Sequence, residues 1–135
     1  MRFNFSRLRE ELAERYTTRG MRVHADGHTI ATMEPPWLGF GLITIDDDDD
    51  EITVYCGVFT HVHFGDYSEG SDPSARAIRI SADVIAFLDA VFSDQIEFWK
   101  CRRAGGCGPR GEQDKPHWCG TNRLYKRGVW SGPLE

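Results

Sequence analysis

Residues 45–67, IDDDDDEITVYCGVFTHVHFGDY, constrain this chain more than any other stretch, because a strand-period apolar pattern there follows a run of charge. From residue 52 to 64 the even positions are Ile52, Val54, Cys56, Val58, Thr60, Val62 and Phe64, all apolar or β-branched. The odd positions, Thr53, Tyr55, Gly57, Phe59, His61 and His63, are mixed. A period of two puts the even set on a core and the odd set on a partly wet strand face. Such a run is long against a usual strand of about five or six residues, so a bulge or bend is expected at Gly57. Residues 37–45 (WLGFGLITI) also read as a strand. Two strand-like runs flanking an acidic run predict an antiparallel hairpin with an acidic tip.

Charge is informative here because of where it sits. The chain of 135 residues carries 21 acids against 16 Lys and Arg. Six of those acids are Asp46, Asp47, Asp48, Asp49, Asp50 and Glu51. Outside that run the balance is close to neutral. Residues 99–130 hold eight Lys or Arg opposed only by Glu112 and Asp114, which predicts a dipolar molecule. A hydrophobic content of 40% with 12% aromatics argues against disorder, and the length fits a single domain over residues 1–135. No apolar run is long enough for a membrane span. The opening MRFNFSRLREELAERY has acids and no apolar h-region, so a cytoplasmic protein with reduced thiols is expected.

The rest of the chain supplies helices and further strands. Phe5, Leu8, Leu12 and Tyr16 recur at helical spacing, with Asn4 as a candidate N-cap and Gly20 as a stop, over roughly residues 4–18. Residues 21–25 read as a short strand and Asp26-Gly27 as a turn, with 28–33 ambiguous. Val84, Ile85, Phe87, Leu88, Val91 and Phe92 form an apolar stripe that predicts a second helix over 82–93. Ser81 reads as its N-cap, and residues 77–80 before it as extended. Residues 95–103 read as a strand, 105–116 as an irregular loop, 118 onward as a strand interrupted at Gly128, and 131–135 as a tail. No helix separates the two runs that flank the acids, so the fold class is α+β rather than a parallel α/β sheet. The expected architecture is an antiparallel sheet of four or five strands with two helices packed on one face.

Three constellations could carry chemistry. His61 and His63 share a strand face and Asp66 follows, a set that could hold a transition metal for hydrolysis. Cys101, Cys107, His117 and Cys119 could surround a structural zinc and, with the basic C-terminal third, serve nucleic acid. Their first gap is wider than the usual two to four residues between zinc cysteines, so no metal or cofactor is expected. No nucleophile elbow or phosphate-loop motif is present, which argues against an enzyme. The third constellation is the acidic run. Adjacent aspartates repel one another, with nothing evident gained for folding. Steering of a basic partner supplies a reason to keep them.

The segments ITVYCGVFTHVHFGDY and SADVIAFLDAVFSDQIEFW resemble small bacterial immunity proteins that neutralise the toxic C-terminal domains of polymorphic toxins. The likeness spans roughly residues 37–103. It consists of a strand ending in His-rich residues, a polar loop, then a helix and a strand. The resemblance implies a cytosolic α+β binder that occludes a toxin's active site. A basic, nucleic-acid-modifying toxin domain would fit the acidic tip. The expected contacts are residues 46–51 with Tyr55, Phe59, His61 and His63 on the neighbouring wet face. The oligomeric state is open at this point.

Overall fold

The structure, a computed structural model, describes residues 3–68, 70, 72–102, 104–113 and 125–134. Among these the chain is an α+β fold of two helices and two antiparallel sheets, one of five strands and one of four. Helix α1 (Ser6–Tyr16) buries Leu8, Leu12 and Tyr16 and runs into a 3-10 turn (Thr17–Arg19) that Gly20 ends in the left-handed region. Phe5 holds the capping position, while the Asn4 side chain accepts from the Ser6 N–H at 2.9 Å.

The first sheet runs in chain order: β1 (Arg22–Val23), β2 (Thr29–Met33), β3 (Ile43–Asp47), β4 (Glu51–Cys56) and β5 (Thr60–Gly65). The expected hairpin with an acidic tip is β3–β4, in register from Ile43↔Cys56 to Asp47↔Ile52. The long strand expected over 52–64 is instead a second hairpin, because the chain reverses at 57–59. In β4–β5, Cys56 faces Thr60, Val54 faces Val62 and Ile52 faces Phe64. Even residues therefore pair with even residues, so the period-two pattern passes through the reversal in phase. That is why it reads as one strand. Phe59 falls within this turn and leaves the alternation. It is 3% exposed and packs on Phe40 and Phe98, which corrects its placement on the wet face.

Helix α2 (Pro73–Phe92) begins nine residues earlier than expected. Asp72 caps it, its carboxylate accepting from the Ala75 N–H at 2.7 Å, and Pro73 occupies the first turn, where its missing N–H costs nothing. Ser81, expected as the cap, lies mid-helix and donates to the Ala77 carbonyl. Ile78, Arg79 and Ile80 alternate apolar and basic, which imitates a strand. Ala77, Ile80 and Val84 nonetheless continue the buried stripe backwards.

The second sheet holds β6 (Ile96–Lys100), β7 (Gly105–Pro109), β8 (Lys126–Val129) and β9 (Gly132–Leu134), in the order β7-β6-β8-β9. The irregular loop expected from 105 thus begins as a strand. It is glycine-rich for a steric reason: a Cβ on Gly105 would lie 1.7 Å from the Phe59 carbonyl oxygen. The expected tail contributes β9, and Gly128 lies within β8 rather than interrupting it. The first part of the strand expected from 118 lies outside the described residues.

Two sheets rather than one are joined by residues 37–40, read from sequence as strand. The Phe40 ring sits 4.9 Å from Phe98 and 5.1 Å from Trp130, and the Trp37 indole N–H donates to the Val129 and Trp130 carbonyls at 3.2 and 3.1 Å. Helix α1 packs on β1 and β2, and α2 on β4 and β5. Ile43, Ile45, Ile52 and Val54 join Leu8, Leu12, Ile80 and Leu88 in one buried cluster. Leu88 is fully buried, so Leu88→Ala is expected to cost about 2 to 5 kcal/mol in a urea titration. An unchanged midpoint would remove α2 from the core.

Candidate functional site

Register places one set of side chains on the face of the first sheet away from the helices. Across β3, β4 and β5, Thr44, Tyr55 and His61 form one row, and Asp46, Thr53 and His63 the next. Tyr55 is 41% exposed, and its ring lies 5.6 Å from that of His61. The His61 and His63 rings meet edge to face at 4.9 Å. This amphipathic aromatic surface therefore needs little further ordering to bind.

At its end stands the acidic tip. Asp48 donates its N–H to the Glu51 carbonyl at 2.9 Å, closing the turn, and the Asp49 N–H donates to the Asp47 carboxylate at 2.9 Å. Asp49 has φ 73°, a conformation that Asp tolerates better than most residues. From the N-terminal segment, the Phe3 N–H donates to the Asp49 carbonyl at 2.6 Å. The tip is thus a braced turn rather than a loose loop.

Most of its acids do two things. The Asp46 carboxylate accepts from the Thr29 hydroxyl at 3.0 Å and lies 3.4 Å from His28 Nε2, which is also 3.4 Å from Asp48. The wholly buried Thr53 donates its hydroxyl to Asp48 and lies 3.0 Å from His63 Nδ1. A hydroxyl has one proton, and with it directed to Asp48, Thr53 can only accept from His63. His63 Nδ1 therefore carries the hydrogen in this contact. Glu51 accepts from the Tyr67 hydroxyl and lies 3.7 Å from His63. The expectation that the acids gain nothing for folding is corrected: Asp46, Asp47, Asp48 and Glu51 accept hydrogen bonds, and within the run only Asp49 and Asp50 are largely exposed. Neutralising the whole run would remove those acceptors and weaken the hairpin as well as its field.

Asp66 does not join His61 and His63. Ser68 donates to its carboxylate through both hydroxyl and backbone N–H, and Arg79 of α2 pairs with it, which together hold the carboxyl below the usual range. The cause is the reach of α2, nine residues longer at its start than expected. It brings Arg79 to the end of β5. Cys101 is disulfide-bonded and so offers no thiolate to a metal, which also corrects the expectation of four reduced thiols. Spacing in sequence does not reveal which sulfurs a fold brings together. Cys56 and Cys107 are free thiols that burial pushes above the ordinary range. His117 and Cys119 lie outside the described residues. Among the described residues no group of three or more His, Cys, Asp and Glu could hold a metal ion.

A second structural carboxylate, Glu97, is 1% exposed and accepts from Arg127 at 3.0 Å and from the Gly111 N–H at 3.3 Å. Burial raises its pKa, but these donors more than offset that and leave it lowered. Asp66 and Glu97 therefore both titrate lower in the folded chain than in the unfolded one. Their stabilisation is present above an ordinary carboxyl pKa of about 4 and is lost as pH falls through the folded values. Urea midpoints are expected to drop between about pH 5 and about pH 2, and Glu97→Gln to flatten part of that drop. An equally steep drop in Glu97→Gln would contradict this assignment.

His28, Thr29 and Tyr67, with Thr53 buried beneath them, brace the acidic tip although no local sequence pattern singles them out. Thr53 shares the odd face of β4 with Tyr55, so a fold-back at Gly57 was the signal that could have matched it to His63. His28 comes from a separate strand edge, and only the β2–β3 pairing brings it in. Comparison of the chain with protein-family models, with curated proteins and with solved structures finds no match in any of the three.

Proposed function

We propose that this protein is a non-enzymatic inhibitor, an immunity protein that binds a basic toxin domain of the nucleic-acid-modifying kind. The observation that carries the proposal is the acidic tip on a braced hairpin, continuous with exposed Tyr55, His61 and His63. Asp49 and Asp50 provide the outward field that steers a basic cleft. Tyr55 and the two imidazoles supply contact area at small entropic cost, the kind of surface from which binding hot spots are made. Phe59 takes no part, being core. An inhibitor of this kind acts in the cytoplasm, where it meets the toxin. No helix among the described residues is long and apolar enough to cross a membrane. Stable disulfides form in oxidising compartments, so the Cys101 disulfide argues for a different location. Thiol titration of protein taken from each compartment separates the two. Function is tested by adding the protein to basic, nucleic-acid-modifying toxin domains, any toxin domain encoded in a neighbouring gene included. Loss of toxin activity at a one-to-one ratio is expected, and full activity under excess protein would refute the proposal.

A further inference from the structure

We propose that the end of the molecule opposite the acidic tip carries a second docking site, a basic groove that takes an acidic protein segment bearing an apolar anchor residue. A groove of about 470 Å³ is lined by Leu38, Val58, Lys100, Arg102 and Lys126, among others. Leu38 is 99% exposed and Val58 42% exposed. Val58 sits in the β4–β5 turn and the acids in the β3–β4 turn, so β4 separates them. Its six residues, at about 3.3 Å each, span about 20 Å, which puts the groove beyond reach of the chain's own tip.

The chemistry of the groove points to its occupant. Lys100 and Lys126 are direct cross-strand partners in β6–β8, an arrangement in which like charges repel. Among the described residues no carboxylate pairs with Lys100, Arg102 or Lys126. Some cations elsewhere do have a close carboxylate, as Arg79 has Asp66 and Arg127 has Glu97. An incoming carboxylate would relieve the repulsion, and an apolar side chain would cover Leu38 and Val58. Nucleic acid fits less well, because the described lining includes no aromatic side chain on which a base could stack. This site is independent of the toxin-binding proposal.

The test is fluorescence anisotropy of the full chain with a short labelled peptide of aspartates and glutamates around one leucine. The same peptide with serine at the centre and a single-stranded oligonucleotide of equal charge serve as comparisons. The leucine peptide is expected to bind about tenfold more tightly than the serine peptide, a decade of Kd. Joint Lys100→Glu and Lys126→Glu substitution is expected to weaken it by about tenfold or more. Leu38→Ser, at a nearly fully exposed residue, should erase the preference for leucine, and it serves as the test if the double variant fails to fold. Tighter binding of the oligonucleotide, or peptide binding indifferent to these variants, would overturn the proposal. So would salt-sensitive self-association abolished by the lysine reversals, which would assign the groove to the acidic tip of a second copy.

Discussion

Gly57→Ala is expected to abolish cooperative folding or to cost more than about 4 kcal/mol, beyond the range of ordinary point mutations. Two separate penalties combine. The residue has φ 55°, where an L side chain costs about 1 to 2 kcal/mol. A Cβ there would also lie 1.8 Å from the Phe40 carbonyl oxygen, so backbone must move. That oxygen accepts from the Val58 N–H at 2.8 Å, and Gly57 itself donates to the Leu42 carbonyl at 3.1 Å. Relieving the clash therefore breaks the bonds that fix the β4–β5 turn, and Phe59 loses its place in the core. Urea denaturation followed by circular dichroism is the measurement. A midpoint equal to that of the wild type would show that the reversal does not depend on glycine.

Phe40→Ala has the next largest expected effect, about 3 to 5 kcal/mol, as for other buried aromatic truncations. The side chain is fully buried and stands within 4.9 to 6.3 Å, centroid to centroid, of the rings of Phe98, Trp130, Phe59 and Trp37. It belongs to neither sheet, yet both rest on it. Its loss should unlock the two sheets as well as leave a cavity. The same denaturation experiment applies, and a loss below about 1 kcal/mol would mean that the cavity collapses and that Phe40 is not the joint.

Legibility in the sequence followed the range of the interactions. The acidic hairpin and the core face of residues 52–56 could be read because strand alternation is local. So could α1, whose stripe and Gly20 stop lie within one helix. The β4–β5 reversal was hidden by its own symmetry, since an in-phase turn leaves no break in the alternation. A glycine at 57 marks a bend, but its φ and the closeness of Phe40 are tertiary facts. Two cap signals compete at the start of α2: Asp72-Pro73 is the one used, and Ser81 imitates a cap from inside the helix. The second sheet was the least legible part. Glycines in β7 carry no apolar pattern: Gly105 lies against the Phe59 backbone, and Gly106 and Gly108 against the Trp99 and Gln113 side chains. At the candidate surface, Tyr55, His61 and His63 follow from alternation alone. The ties from Thr29 and His28 to Asp46 and Asp48 need the pairing of β2 with β3, which no local pattern encodes.

The central claim is that the exposed part of the acidic tip steers a basic partner. Asp49→Asn together with Asp50→Asn tests it at the two most exposed acids of the run, because Asn tolerates a positive φ and the acceptors at Asp46, Asp48 and Glu51 remain. Surface-plasmon kinetics against the toxin domain that the protein inhibits should be run at about 0.1 M and about 1 M salt, where the Debye length is about 10 Å and about 3 Å. The account predicts an association rate lowered about tenfold or more by the double substitution at low salt. High salt should lower the wild-type rate in the same way, while dissociation stays unchanged. An association rate indifferent to both salt and the substitutions would contradict it.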